Sequence, residues 1–230
     1  MSKLELKEIK MRNENSVILI TVVGLNAFLF SPTSLAADSL SGNIGITNNY
    51  LWRGLQQTNG DAALSGGIDY AAQSGFYAGT WVSNASWDDE MTYELDFYAG
   101  FSGEIKDLGF DVGFIYYAYP DSKNDVDFSE INASLSYGAF SLSYAVLADA
   151  EGADFADDSY ISADVSFELM PEVTLALHVG KGTDDFYAGE SFIDYGASLN
   201  KSGFTLGISK TDLEDDDVKV YASYSIDINF

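Results

Sequence analysis

At 230 residues with no cysteine, the chain has room for one domain and holds no disulfide, no thiolate metal site and no lipid-anchored cysteine. Its 36 acidic against 11 basic residues give a formal net charge of −25, which excludes nucleic acid as a partner, because phosphates are bound by Lys and Arg. Hydrophobic residues make up 47% of the chain while mean hydropathy is only −0.02, so apolar and polar residues are finely interleaved, and aromatics are too frequent for a disordered acidic chain.

The first segment reads as a targeting signal. Lys3, Lys7, Lys10 and Arg12 form a basic start, followed by a 14-residue run from Val17 to Phe30 dominated by apolar side chains. A membrane helix needs about 20 such residues. Ser34, Leu35 and Ala36 supply the small residues of a cleavage site. The expectation is a signal peptide over 1–36 and one exported domain over 37–230. No later apolar run is long enough for a helical span, so a membrane crossing here has to be made by strands.

From residue 40 onward the apolar residues recur with period two. Leu40, Gly42, Ile44, Ile46, Tyr50 and Trp52 share one parity, then Leu64, Ile68 and Tyr70. The stretch from Gly75 to Ala85 is a strand with two competing faces, Phe76, Ala78, Thr80 and Val82 against Tyr77, Gly79 and Trp81. Met91 to Phe101 alternates against Glu94, Asp96 and Tyr98, and Leu108 to Tyr116 against Asp111. Similar faces follow over 131–137, 140–146, 161–169, 173–179, 193–199 and 204–208. The last strand carries Val218, Val220, Ala222, Tyr224, Ile226, Ile228 and Phe230 on one face, and Lys219, Tyr221, Ser223, Ser225, Asp227 and Asn229 on the other. Strands project successive side chains to opposite faces, so twelve segments each have an apolar and a polar side. An even count suits a closed bacterial barrel.

The connections alternate in length. Tight turns fall at 72–75, 105–108, 137–139, 170–172 and 200–203, and longer, mostly acidic loops lie between them. The expected fold is therefore all-β: a transmembrane antiparallel β-barrel with short periplasmic turns and longer acidic extracellular loops. A soluble barrel or sandwich would also alternate, with its apolar face inward. The unbroken apolar faces favour the membrane barrel, as do the aromatic clusters at strand ends, Tyr50 with Trp52 and Tyr116, Tyr117 and Tyr119, read as interface girdles.

Around Asn49, Tyr50, Leu51, Trp52, Arg53 and Gly54 the chain resembles the TorF family of proteobacterial porin-like proteins. The likeness continues through Gln57 and Thr58, through Ser65 to Tyr70 and through Gly75 to Asn84. It covers roughly residues 41–87. It implies an outer-membrane barrel with a channel role and brings no catalytic residues.

If the apolar faces meet lipid, the opposite parity lines a lumen. Asp69, Glu94, Asp96, Asp111, Glu130, Asp164, Glu168, Asp194 and Asp227 lie on it, against the bases Arg53 and Lys219. Such an excess concentrates cations and repels anions. The expected function is a porin-like channel for passive diffusion of small solutes with a preference for cations. The alternatives are a structural or surface-contact barrel without an open pore and, more remotely, a barrel enzyme. Arg53 either shapes a constriction or ties a loop to the wall. His178, the sole histidine, faces inward; with no Gly-x-Ser-x-Gly motif it does not make an enzyme, and no cofactor or metal is expected. Acidic runs such as Asp88 to Glu90 and Glu214 to Asp217 read as solvated surface that could meet lipopolysaccharide through divalent ions. Expected partners are outer-membrane lipid and lipopolysaccharide, small solutes, and the barrel-assembly machinery, which would read Phe230 as its signal. The sequence leaves the oligomeric state open.

Overall fold

The computed structural model describes residues 38–230 apart from Asp89, Asp184 and Asp185. The expected signal peptide over 1–36 lies outside the described residues. The elements are β1 (Ser39–Thr47), β2 (Leu51–Trp52), β3 (Leu55–Gln56), β4 (Ala63–Ala71), β5 (Phe76–Asn84), β6 (Tyr93–Ile105), β7 (Leu108–Ala118), β8 (Phe128–Tyr137), β9 (Phe140–Ala150), β10 (Ser159–Met170), β11 (Val173–Gly182), β12 (Phe192–Lys201), β13 (Phe204–Thr211) and β14 (Lys219–Asn229). All except β2 and β3 form one closed antiparallel barrel of twelve strands.

Each barrel strand pairs with its neighbour in sequence, and β14 returns to β1 with Ile44 opposite Ile226. Closure pairs every edge, the condition for a sheet whose outside offers no hydrogen-bonding water. The backbone amide of Phe230 adds a last bond to the Leu40 carbonyl at 3.1 Å. The outward parity carries the apolar belt: Ile44, Leu64, Ile68, Phe97, Val112, Phe114, Leu135, Leu142, Ile161, Leu206, Ile208 and Ile226 are all exposed. This is the reverse of a water-soluble barrel, and it is the surface a lipid bilayer covers. β5, ambiguous by parity, turns Phe76, Thr80 and Val82 outward and buries Tyr77 and Ser83.

The five tight turns fall at one end of the barrel, together with Asp38 and Phe230. The longer connections, including the one that carries β2 and β3, fall at the other. The buried apolar cluster is inside the barrel near the long-loop end. It contains Leu147 and Phe192, at most 1% exposed, with Met91, Ile115, Tyr117, Tyr119 and Phe128.

One expected feature differs. Tyr50 and Trp52 continue the parity of Ile44 and Ile46, but they are not part of an outward girdle. β1 stops at Thr47, whose hydroxyl engages both the backbone N–H (3.3 Å) and the carbonyl (3.0 Å) of Asn49. The chain then leaves the wall, and Tyr50 and Trp52 are buried within. Tyr117 and Tyr119 are likewise interior rather than at an interface.

Candidate functional site: a hairpin across the lumen

β2 and β3 form a minimal hairpin, with Leu51 opposite Gln56 and Trp52 opposite Leu55. Its two-residue turn is Arg53 and Gly54, both at positive φ (52° and 77°), the conformation of a type I′ turn. Gln57 N–H donating to the Tyr50 carbonyl at 2.8 Å closes the base. Gly54 is required twice over, by its φ and by space. A Cβ there would lie 2.9 Å from both Asp194 Cβ on β12 and Thr211 Cγ2 on β13.

The hairpin reaches from one wall to the other. Tyr50 packs edge-on against Trp81 of β5 at 5.6 Å and donates its hydroxyl to Glu94 of β6 at 2.9 Å. Across the lumen, Arg53 forms a bidentate pair with Glu130 of β8, both contacts at 2.8 Å. The guanidinium carbon sits 4.2 Å from the ring centre of Trp52, 4.3 Å from Tyr160 and 4.7 Å from Tyr187. Glu130 also accepts from the hydroxyls of Tyr187 (2.5 Å) and Tyr117 (3.2 Å). Arg53 and Glu130 are 4% and 1% exposed, so the charges are held out of water by pairing and by aromatic faces. Trp52, Tyr117, Phe128 and Tyr187 complete the aromatic packing, with Tyr117 stacked on Phe128 at 4.3 Å.

A second network adjoins the first through Tyr160. His178 Nδ1 meets Asp164 at 2.7 Å and Nε2 meets Asp194 at 2.8 Å, while the Tyr160 hydroxyl donates to Asp194 at 2.8 Å. The hydroxyl end of Tyr160 sits over Gly180; a Cβ at that glycine would stand 1.9 Å from the hydroxyl oxygen. With both ring nitrogens engaged by carboxylates, His178 has neither left to serve as a base toward a substrate.

Apart from Asp96, the remaining lumen acids take tyrosine hydroxyls or stand in the open. Tyr77 donates to Asp111 at 3.1 Å, Tyr98 donates to Asp69, and Asn43 donates to Asp69 at 3.1 Å. Asp96 is fully enclosed beside Glu94, which also accepts from Tyr119 at 3.2 Å. Glu168 and Asp227 are exposed near the short-turn end. Lys219 pairs with Asp216 in the loop before β14. Burial alone would raise the Asp216 carboxyl, but hydrogen bonds from Lys219 and Thr211 outweigh it and hold it below its usual range. Below the hairpin a recess of about 70 Å³, lined by Arg53, Asp111, Tyr117, Glu130, Asn132 and Ser143 among others, has space for a few waters.

The structure thus brings together Arg53 with Glu130, and Asp164, His178 and Asp194 with one another. It leaves Asp69, Asp111, Glu168 and Asp227 spread along the wall. The tyrosines of the networks were missed as functional side chains when read from sequence. Their signal was the inward parity of Tyr77, Tyr98, Tyr117 and Tyr160 on strands that also turn Gly, Ser or acidic residues inward.

Fold and lumen together define a transmembrane-type twelve-stranded β-barrel with a folded segment across its interior. The chain belongs to the Gcw_chp family of bacterial proteins of unknown function, whose profile matches residues 32–229. No curated protein matches it in sequence. Among solved structures it is similar to one from work on the in-meso crystallization of membrane proteins (TM-score 0.56, 10% identity, 84% of each chain covered). It is also similar to the KdgM porin (TM-score 0.52, 7% identity, 84% of this chain and 99% of that one), and to the same porin in complex with disordered oligogalacturonate at the same values. At these identities the likeness is one of fold.

Proposed function

We propose that this protein is an outer-membrane porin-like channel through which small solutes diffuse, with a preference for cations. The observation that carries the reading is the inverted barrel: an apolar belt outside and, inside, carboxylates that outnumber bases. The resemblance to TorF-family porin-like proteins and the fold shared with the KdgM porin support it. Export would follow cleavage of the signal peptide after Ala36. Phe230, 76% exposed on the outward face beside Gly42, would be read by the assembly machinery. The short turns would then face the periplasm and the acidic loops the outside.

The hairpin sharpens the selectivity claim. Glu94, Asp96, Glu130 and Asp194 are all 2% exposed or less and do not meet passing ions, so any cation preference rests on Asp69, Asp111, Asp164, Glu168 and Asp227. The same hairpin favours a second reading, a closed barrel with a structural or surface-contact role. Planar-bilayer recordings of the refolded protein in asymmetric salt separate them. Discrete conductance steps with a cation-directed reversal potential are expected. Steps with an anion-directed potential would remove the selectivity, and a bilayer-inserted protein without steps would favour the closed barrel.

A further inference from the structure

Lys123 pairs with Glu90 and Lys219 with Asp216, while Lys106 and Lys201 lie at the short-turn end. That leaves Lys181 and Lys210. Both are exposed, both fall on the outward parity, and each is the second-to-last residue of its strand at the long-loop end. Neither forms an ion pair with a described residue. They stand on either side of β12: Lys210 is directly opposite Tyr195, and Lys181 is opposite Ile193 and next but one to Val179, which is opposite Tyr195. β11 and β13 are two strand spacings apart, about 10 Å, a span that two extended lysine stems can close over Tyr195. Directly below them, toward the middle of the barrel, the outward residues are Val179, Leu177, Ile208 and Leu206, all exposed and apolar.

This pairing is confined to one sector. At the long-loop end of six other strands the outward residues are uncharged: Ile46 on β1, Leu64 on β4, Val82 on β5, Tyr116 on β7, Ile161 on β10 and Val220 on β14; on β9 the exposed residue in register with Tyr116 is an acid, Asp149. In a chain of net charge −25, two lysines placed side by side just above an apolar belt are a local reversal of sign. The depth is that of lipid headgroups, where an amine above apolar surface meets anionic oxygens while its stem lies along the acyl boundary.

We infer that Lys181, Tyr195 and Lys210 form a binding site for the phosphate of a phosphorylated glycolipid in the outer leaflet. The lysines hold the phosphate oxygens from two sides and the Tyr195 ring lies against the sugar or upper acyl chain. The assignment rests on the outer-membrane reading above, and it fixes on the barrel's circumference the side that faces this lipid.

The test uses the full mature chain, refolded in detergent, and lipopolysaccharide in its phosphorylated and chemically dephosphorylated forms, with bound lipid measured by native mass spectrometry. The wild type is expected to hold the phosphorylated form at least tenfold more tightly. Lys181→Gln with Lys210→Gln is expected to abolish that difference while still inserting into bilayers, and Lys106→Gln with Lys201→Gln is expected to retain it. Equal binding of the two lipid forms by the wild type, or an unchanged preference in the Lys181/Lys210 variant, overturns the site. Displacement of the lipid by inorganic phosphate at equal concentration would assign the lysines to free phosphate instead, and overturns the lipid assignment. A wild-type chain that does not enter bilayers overturns the outer-membrane reading itself, whereas one that enters but ignores the phosphate overturns this inference alone.

Discussion

In the long-loop half of the lumen, Arg53, Glu94, Asp96, Glu130 and Asp194 are each 4% exposed or less, and they are surrounded by Tyr50, Trp52, Tyr117, Tyr119 and Tyr187. In the short-turn half, Asp69 is partly exposed, Glu168 and Asp227 are exposed, and the inward neighbours are residues such as Asn43, Ser136, Ser141 and Ser166. Both halves are walled by the same twelve strands and carry the same type of charge. The difference is that only one half receives a segment from outside the wall. The β2–β3 hairpin excludes water, and with water gone Arg53, Glu94, Glu130 and Asp194 each take a charged partner or a tyrosine hydroxyl, while Asp96 is enclosed beside Glu94. Where no hairpin reaches, water solvates the carboxylates and no such pairing is required.

The contrast is most sharply broken at Glu130. Replacing it by Ala leaves the Arg53 guanidinium buried without its carboxylate, and breaking a buried pair in this way costs about 3–5 kcal/mol. That cost falls on hairpin docking rather than on the barrel ladder. Glu130→Ala should therefore raise single-channel conductance several-fold and expose the hairpin to protease while the barrel's strand content stays unchanged. Conductance equal to wild type would show that the hairpin does not set the passage.

Next in size is Gly54→Ala. The methyl group would meet Asp194 and Thr211 at 2.9 Å from a backbone that L-residues disfavour, an overpacking penalty of about 1–3 kcal/mol. The expected outcome is a noisy channel that alternates between hairpin-in and hairpin-out levels. His178→Gln should cost about 1–3 kcal/mol, because Gln spans Asp164 and Asp194 poorly and leaves a carboxylate in a half-buried wall unpaired. Its unfolding midpoint in denaturant should fall with little change in conductance, since His178 belongs to the wall.

These differences also mark what could be read from the sequence. Strand number, turn positions and lipid-facing parity follow from a period of two, because a strand buried on one face and wetted on the other leaves that period in its residues. Parity fails between Asn48 and Gln57. Tyr50 and Trp52 keep the phase of Ile44 and Ile46, and a phase count cannot detect a chain that turns off the wall without shifting phase. The local signal was present in Arg53 and Gly54, a pair capable of a tight turn, flanked by Leu-Trp and Leu-Gln. Inward Arg53 and Glu130 were both identifiable, but their partnership was not, since it joins residues 77 apart in sequence through a segment outside the sheet. The tyrosine hydroxyls were equally hidden. Alternation marks Tyr98 and Tyr77 as inward without saying that Asp69 and Asp111 lie within their reach.

The smallest effect on stability is expected where the comparison predicts it, at the open end. Asp69→Asn with Asp227→Asn removes two carboxylates from the open half; at position 69 the amide oxygen can keep the bond from Tyr98, while the one Asn43 gives to the second carboxylate oxygen is lost to water. Substitutions at such sites usually stay within about 0.5 kcal/mol. The same change takes away two of the five acids that passing ions can meet, so the reversal potential in asymmetric salt should move toward zero while the unfolding midpoint holds. The opposite pairing of results, a lowered midpoint with an unmoved potential, would place the structural burden at the short-turn end and selectivity elsewhere, inverting the division between the two halves. Glu94→Gln is the matching control in the dry half. Its carboxylate is 1% exposed and bonded to Tyr50 and Tyr119, so its loss should loosen the hairpin and leave the sign of selectivity untouched.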